Sequence, residues 1–265
     1  MIGSPVRHSL SPALHNAAFA ASGLDWRMLA FEVAPGEGAV AVAAMRTLGI
    51  AGLAVTMPHK ADVATAVDEL DPAARALRSV NTVVLRPDGT TFGASTDGAG
   101  FVDSLAAVGY EVAGRRVVVL GAGAAARATV VALAAAGAAD IAVVNRTRAT
   151  AHEAAALTTT ARAGTIDDVA DADLLVNTTP VGMGTDELPL DVGVLHAGLT
   201  VADIVYHPLE TALLRAARER GAATVDGLGM LVHQAARQQE LWTGRRPDPA
   251  VLRAAAAAEL AGRER

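Results

Sequence analysis

The run Arg115–Arg127, read Arg-Arg-Val-Val-Val-Leu-Gly-Ala-Gly-Ala-Ala-Ala-Arg, constrains this chain more than any other stretch. An apolar, β-branched segment enters a Gly-x-Gly-x-x-Ala turn, and an alanine-rich helical run starts at Ala124. This is the opening of a dinucleotide-binding βαβ unit. Gly121 makes the tight turn, Gly123 lets the backbone approach a pyrophosphate, and Ala126 is small enough for the helix to pack closely on the strand. The phosphates are then expected at the helix N-terminus, where unpaired N–H groups and the helix dipole favour an anion.

The next apolar strand, 141–144, ends in Asn145-Arg146-Thr147-Arg148. A chain that reads NAD places an acidic residue there for the ribose 2′-hydroxyl. Here two guanidinium groups stand instead, with forked donors suited to a 2′-phosphate, so the expected cofactor is NADP.

Composition narrows the remaining possibilities. A chain of 265 residues holds one large or two small domains. Its 52% apolar content contains no run near the roughly 20 residues a membrane helix needs. The formal charge of −6, with arginines scattered among acids, argues against a nucleic-acid partner. Without cysteine there is no thiolate nucleophile, thiolate metal site or disulfide framework. No basic-then-apolar leader opens the sequence, so a cytoplasmic protein is expected.

In the N-terminal half, Ser11-Pro12 fits a helix N-cap followed by proline, with helix to about residue 21. Ser9 and Ser11 together also form a hydroxyl pair suited to a carboxylate. Strand is expected over 26–33, helix over 38–48 and a buried strand over 50–56. That last strand runs into Thr56-Met57-Pro58-His59-Lys60, delivering Thr56 and Lys60 to the end of a strand, where α/β sheets bind ligands. A hairpin follows over 78–94 around Asp88-Gly89, leading to Ser95-Thr96-Asp97, with Asp97 placed to cap the next helix. Further on, Gly227-Leu228-Gly229-Met230 reads as a turn before helices over 231–243 and 249–261. His59, His207 and His233 lack metal-ligand spacing, so no metal is expected.

Taken in series, several segments resemble the shikimate dehydrogenase family. They are Gly3-Ser4-Pro5, His8-Ser9-Leu10-Ser11-Pro12, His15-Asn16, Val55-Thr56-Met57-Pro58-His59-Lys60, Val80-Asn81-Thr82, Thr96-Asp97-Gly98 and Gly121-Ala122-Gly123. Asn145-Arg146-Thr147, Asn177–Met183, Asp203-Ile204-Val205-Tyr206 and Asp226–Ala235 continue the series. The resemblance implies reversible NADPH-dependent reduction of 3-dehydroshikimate to shikimate, in chorismate and aromatic amino-acid biosynthesis. It implies a catalytic pair, Lys60 and Asp97, and substrate contacts from Ser9, Ser11, Thr56, Asn81, Tyr206 and Gln234. It implies a cofactor bordered by Gly121, Ala122, Gly123, Ala124, Ala125, Asn145, Arg146, Thr147, Arg148, Thr179, Ile204, Gly227 and Met230.

The implied fold is α/β in two domains with a cleft between them. An N-terminal substrate domain, residues 1–97, is completed by helices from 231–265, and a Rossmann-type NADP domain spans 98–230. The chain is expected to act as a monomer or homodimer. Rival readings are a quinate/shikimate or aminoshikimate dehydrogenase, and a non-catalytic ligand-sensing domain.

The sequence departs from the family pattern in four places. Ala54 stands where the family has Asn or Ser, Ser95 where it has Asn, and Ala124 where it has a second Gly. Only Met1 and Ile2 precede Gly3, where the family has a full strand, so a start upstream of Met1 and a more stable extended chain are expected.

Overall fold

The computed structural model describes residues 1–263. Two units are resolved within it, one formed by Met1–Gly100 together with the chain from Val232 onward, the other by Phe101–Leu231.

In the first unit the N-terminal stretch supplies β1 (Ile2–Gly3), α1 (Ser11–Ala21), β2 (Phe31–Glu32) and α2 (Gly38–Leu48). It continues with β3 (Gly52–Ala54), α3 (Lys60–Ala66), β4 (Glu69–Leu70), α4 (Pro72–Leu77), β5 (Thr82–Leu85) and β6 (Thr91–Ala94), and α5 spans Asp97–Ala107. The sheet order is β3-β5-β6-β4, with β3, β5 and β6 antiparallel and β4 parallel to β6. The small parallel pair β1–β2 is tied to it through the bridge Ile2–Val55. The strand expected over 26–33 shrinks to Phe31–Glu32 because its partner offers only Ile2 and Gly3. Upstream, the Asn16 carboxamide takes the place of a neighbouring strand, accepting from Met28 N at 2.8 Å and donating to Met28 O at 3.1 Å.

The second unit contains β7 (Arg116–Leu120), α6 (Ala124–Ala135), β8 (Asp140–Val144), α7 (Arg148–Ala155), β9 (Ala161–Ala163) and β10 (Leu174–Asn177). It ends with β11 (Thr200–Asp203), α8 (Ala212–Glu219) and β12 (Ala223–Val225). All six strands are parallel, in the order β12-β11-β10-β7-β8-β9. Successive residues of a strand point to opposite faces. Val117 and Val119 therefore join Ile141, Val143 and Val176 in one core, while Val118 and Leu120 join Leu175 and Val201 in another. Both faces are covered, which is why the β7 run is continuously apolar rather than alternating.

The C-terminal helices are α9 (Gly227–Thr243) and α10 (Pro249–Arg263). The turn expected at Gly227–Met230 is instead the first turn of α9. Neither Gly227 nor Gly229 has a positive φ. Their smallness serves close approach: a Cβ on Gly227 would lie 2.5 Å from the Ile204 carbonyl, and one on Gly229 3.0 Å from Ser104 Cβ. At the far end of α9, Trp242 donates to Val83 O at 2.9 Å. Its indole lies flush on Gly52 and 5.1 Å from the His15 ring.

Candidate active site

Backbone pairing assembles the first unit's site. Thr56 N donates to Ile2 O at 3.0 Å and Ser4 N to Met57 O at 2.9 Å, joining the serine-rich start to the segment that ends at Lys60. A side chain at Gly3 would collide with Thr56 Cγ2, so the approach requires glycine there. Val55 N donates to Asn81 O at 2.7 Å and Val80 N to Lys60 O at 2.9 Å, setting Asn81 beside the same segment.

Lys60 and Asp97 meet in this frame, with Nζ 2.6 Å from Oδ2. Their side chains are 22% and 18% exposed, so the pair is neither solvated nor sealed. Asp97 Oδ1 accepts from Asn81 Nδ2 at 2.7 Å. Asn81 Oδ1 in turn accepts from Thr96 N at 2.9 Å and from Thr82 Oγ1 at 2.8 Å. Thr96 Oγ1 also donates to Gln234 O at 3.2 Å, bringing α9 to the group. Asp97 does not cap the following helix as expected: α5 already begins at Asp97, and both its oxygens are committed elsewhere.

Ser11 is likewise no N-cap. Leu10 is already in the right-handed helical region, so Ser11 is the first residue of α1 and its N–H donates to Ser9 Oγ at 3.2 Å. Ser11 and Gln234 are buried, and Ser9 and Thr56 half-buried. A concavity of about 350 Å³ lies elsewhere in this unit, against Trp26, Met28, Phe31 and Trp242, and includes none of these residues. The Lys60–Asp97 group is the candidate site, because ionisable side chains converge there.

The second unit presents its polar groups at the C-terminal ends of the parallel strands, where such sheets bind ligands. Gly121 has φ +107, and a Cβ there would stand 2.7 Å from Thr178 Oγ1, so the turn is closed to any side chain. Gly123 sits at the N-cap of α6 with no side chain capping it, and nothing lies within 4 Å of where its Cβ would be. An open helix N-terminus without side-chain acceptors is a cradle for a phosphate. Ala124 is exposed beside it and Ala125 half-buried, while Ala122 and Ile204 pack on the adjoining core.

Asn145 Nδ2 donates to Thr147 O at 3.0 Å and Thr150 Oγ1 at 2.6 Å, which shapes the turn after β8. Arg146 and Arg148 project from that turn, exposed and outside every ion pair among the described residues. Thr179 lies in the loop after β10, its hydroxyl spent on Asn177 Oδ1 at 2.7 Å. Met230 packs on this unit's core, and Tyr206 is half-buried just past β11.

Residues missed in the sequence complete both sites. Thr82 and Thr96 flank the expected pair and orient Asn81. Asn177 and Asp203 form a buried hub in which Asp203 accepts from Asn177 Nδ2 at 3.0 Å, Val205 N at 3.0 Å and Thr211 Oγ1 at 2.7 Å. Burial holds the Asp203 carboxyl above the usual carboxylate range, against the pull of those donors. The available signal was a polar residue at the end of each of two apolar strands.

A six-stranded parallel sheet with an open, glycine-led helix N-terminus, accompanied by an α/β unit carrying a lysine–carboxylate pair, defines a two-domain nicotinamide-nucleotide oxidoreductase. Profiles described as shikimate dehydrogenase substrate binding domain, shikimate/quinate 5-dehydrogenase and shikimate 5′-dehydrogenase C-terminal domain match residues 1–83, 104–179 and 227–257. A shikimate dehydrogenase (NADP(+)) of Symbiobacterium thermophilum is 47% identical over 99% of this chain and 94% of its own. A crystal structure of a shikimate dehydrogenase in complex with NADP+ superimposes with a TM-score of 0.92 at 35% identity, covering 98% of this chain and 94% of that one. A ligand-free 5-ketofructose reductase of Gluconobacter has a TM-score of 0.91 at 36% identity over 97% and 96%. The chain belongs to the shikimate dehydrogenase family.

Proposed function

We infer that this chain is an NADP-dependent shikimate dehydrogenase, interconverting 3-dehydroshikimate and shikimate. The observation that carries the reading is the Lys60–Asp97 contact, a proton donor held against a carboxylate. NADPH, when bound, supplies the hydride for the ketone carbon. Lys60 holds a proton at Nζ for the oxygen that becomes the alcohol, and its charge stabilises the developing alkoxide. Asp97 keeps that ammonium aimed and accepts from the neighbouring ring hydroxyl.

Ser9 Oγ accepts from Ser11 N, which leaves its hydroxyl proton to donate to the substrate carboxylate, with Ser11 as second donor. Thr56, Asn81, Gln234 and Tyr206 meet the remaining ring hydroxyls, Asn81 by exchanging its Nδ2 bond to Thr96 Oγ1 for one to the ring while keeping the one to Asp97. On the cofactor side, Gly121–Ala125 receive the pyrophosphate, Asn145–Arg148 the adenosine 2′-phosphate, and Thr179, Ile204, Gly227 and Met230 border the rest. The substrate domain is residues 1–97 with 231–265, and the NADP domain 98–230. The enzyme works in the cytoplasm, as a monomer or homodimer.

A second reading, quinate/shikimate dehydrogenase, is favoured by one feature: Ala54 is buried among Met28, Phe19 and Val6 and offers no hydrogen bond. Initial rates with shikimate or quinate, each paired with NADP or NAD, test both. The shikimate–NADP pair is expected to give the highest kcat/KM. No turnover of that pair by folded protein overturns the assignment, and preference for quinate establishes the second reading.

A further inference from the structure

We propose that Thr82 is a positioning residue for this reaction: its hydroxyl anchors the Asn81 carboxamide, which in turn orients the Asp97 carboxylate against Lys60. The inference rests on Lys60 and Asp97 being the reacting pair.

A carboxamide has two ends of nearly equal shape and opposite hydrogen-bonding character. Asn81 is 2% exposed, so its ends cannot be satisfied by bulk water and must be matched by protein. The match is complete. Oδ1 accepts from Thr96 N at 2.9 Å and Thr82 Oγ1 at 2.8 Å, and Nδ2 donates to Asp97 Oδ1 at 2.7 Å and Thr96 Oγ1 at 2.9 Å. A backbone N–H only donates, so the end facing Thr96 N is the oxygen, and the end facing Asp97 is the donor. Turning the amide over would set its oxygen against a carboxylate and its NH₂ against an N–H, two repulsive contacts.

Thr96 N thus fixes the sense of the amide, and Thr82 supplies the second anchor on Oδ1. Thr82 is fully buried in β5 and its hydroxyl touches neither Lys60 nor Asp97. Its influence passes along one chain of contacts, Thr82 to Asn81 at 2.8 Å, Asn81 to Asp97 at 2.7 Å, and Asp97 to Lys60 at 2.6 Å. Removing the hydroxyl leaves Asn81 Oδ1 on Thr96 alone, so the amide swings and Asp97 Oδ1 loses a constant donor. An ill-aimed carboxylate no longer holds the ammonium over the reacting oxygen, a loss felt in turnover rather than in cofactor binding.

The test compares T82V, which keeps the shape without the hydroxyl, with T82S, which keeps the hydroxyl. T82V is expected to lower kcat roughly five- to tenfold, the scale of one buried hydrogen bond, with KM for NADP unchanged. T82S should retain kcat within about twofold on the same scale. Wild-type kcat in folded T82V overturns the proposal. An equal loss in T82S, tracking a fall in melting temperature, overturns it too, because the methyl's packing is then what matters. Should T82V not fold, T82A takes its place, and T82S must exceed it in kcat. A crystal structure of the hydroxyl-less variant separates this proposal from the function assignment: an Asn81 amide still seated on Asp97 at the wild-type distance refutes the anchor, whichever substrate the enzyme uses.

Discussion

The α-carbon of Gly100 lies against the backbone of Gln234: a Cβ built on Gly100 would stand 2.5 Å from Gln234 N and 2.6 Å from its Cα. Thr96, one helical turn earlier, donates from Oγ1 to the Gln234 carbonyl. The position of a buried glutamine on α9 is therefore set by the missing side chain of α5. Backbone cannot yield as a side-chain tip can, so Gly100→Ala must displace α9 locally. We expect a stability loss of about 1–3 kcal/mol, with KM for shikimate rising more than KM for NADP. Urea unfolding and steady-state kinetics check this; unchanged values for both would mean that the helices separate without consequence.

Replacing Lys60 removes the proposed proton donor without cutting the backbone bonds that shape its segment. Lys60→Met is expected to lower kcat by roughly 10²–10⁴-fold, the usual worth of a positioned acid. Binding of NADPH, measured by its nicotinamide fluorescence, should stay within about threefold of wild type, since a proton donor acts in the transition state. A variant with half the normal turnover would remove Lys60 from the mechanism.

The turn after β8 is the place to alter cofactor choice. Arg146 and Arg148 are exposed and, among the described residues, uncommitted to any carboxylate, so they are available to a 2′-phosphate. Arg146→Ala with Arg148→Ala should raise KM for NADPH about tenfold, on the scale of a charge-assisted bond lost, and leave KM for NADH nearly constant. Equal changes for both cofactors would point to a disturbed turn rather than a lost phosphate contact.

Which parts were legible beforehand follows from where the information lies. The β7 turn, the start of α6 at Ala124, the hairpin and α2 at 38–48 are specified by their own residues, through glycine, apolar runs and an Asp-Gly turn. The strand expected over 26–33 failed because strand length belongs to the partner, and Ile2–Gly3 provides only two residues. Ser11 and Asp97 were misread as caps because a cap must stand just outside the helix, whereas α1 begins at Ser11 and α5 at Asp97, which side-chain type does not reveal. Lys60 and Asp97 stood out as charges; Thr82 in β5 and Thr96 just past β6 did not, since a buried threonine in or beside a strand looks like ordinary β-branched filler until its hydroxyl partner is known.

His15 provides a pH prediction. It is fully buried, with Nε2 at 3.1 Å from Gln238 Oε1, and desolvation lowers its pKa from 6.5 to about 4, only partly opposed by that bond. The unfolded chain therefore binds a proton that the folded chain refuses between those values. Stability from this group is complete above pH 6.5 and is lost as pH falls toward 4. The loss by pH 5 should be on the order of 2 kcal/mol, read as the change in urea-unfolding free energy between pH 7 and 5. His15→Gln should flatten that slope; an identical slope in the variant would assign the acid sensitivity to other groups.

Trp242, whose indole covers Gly52 and bonds Val83 O, is synthesised only after the whole of 101–231. The nascent protein emits the strands it covers first, then the whole of 101–231, before their lid exists. The stretch 101–231 has every strand of its own sheet in one continuous piece and is able to settle early, whereas residues 1–100 wait with an uncapped flank. Truncation just before α9 during synthesis would thus release a chain with its nucleotide fold made and its lysine–aspartate half unfinished.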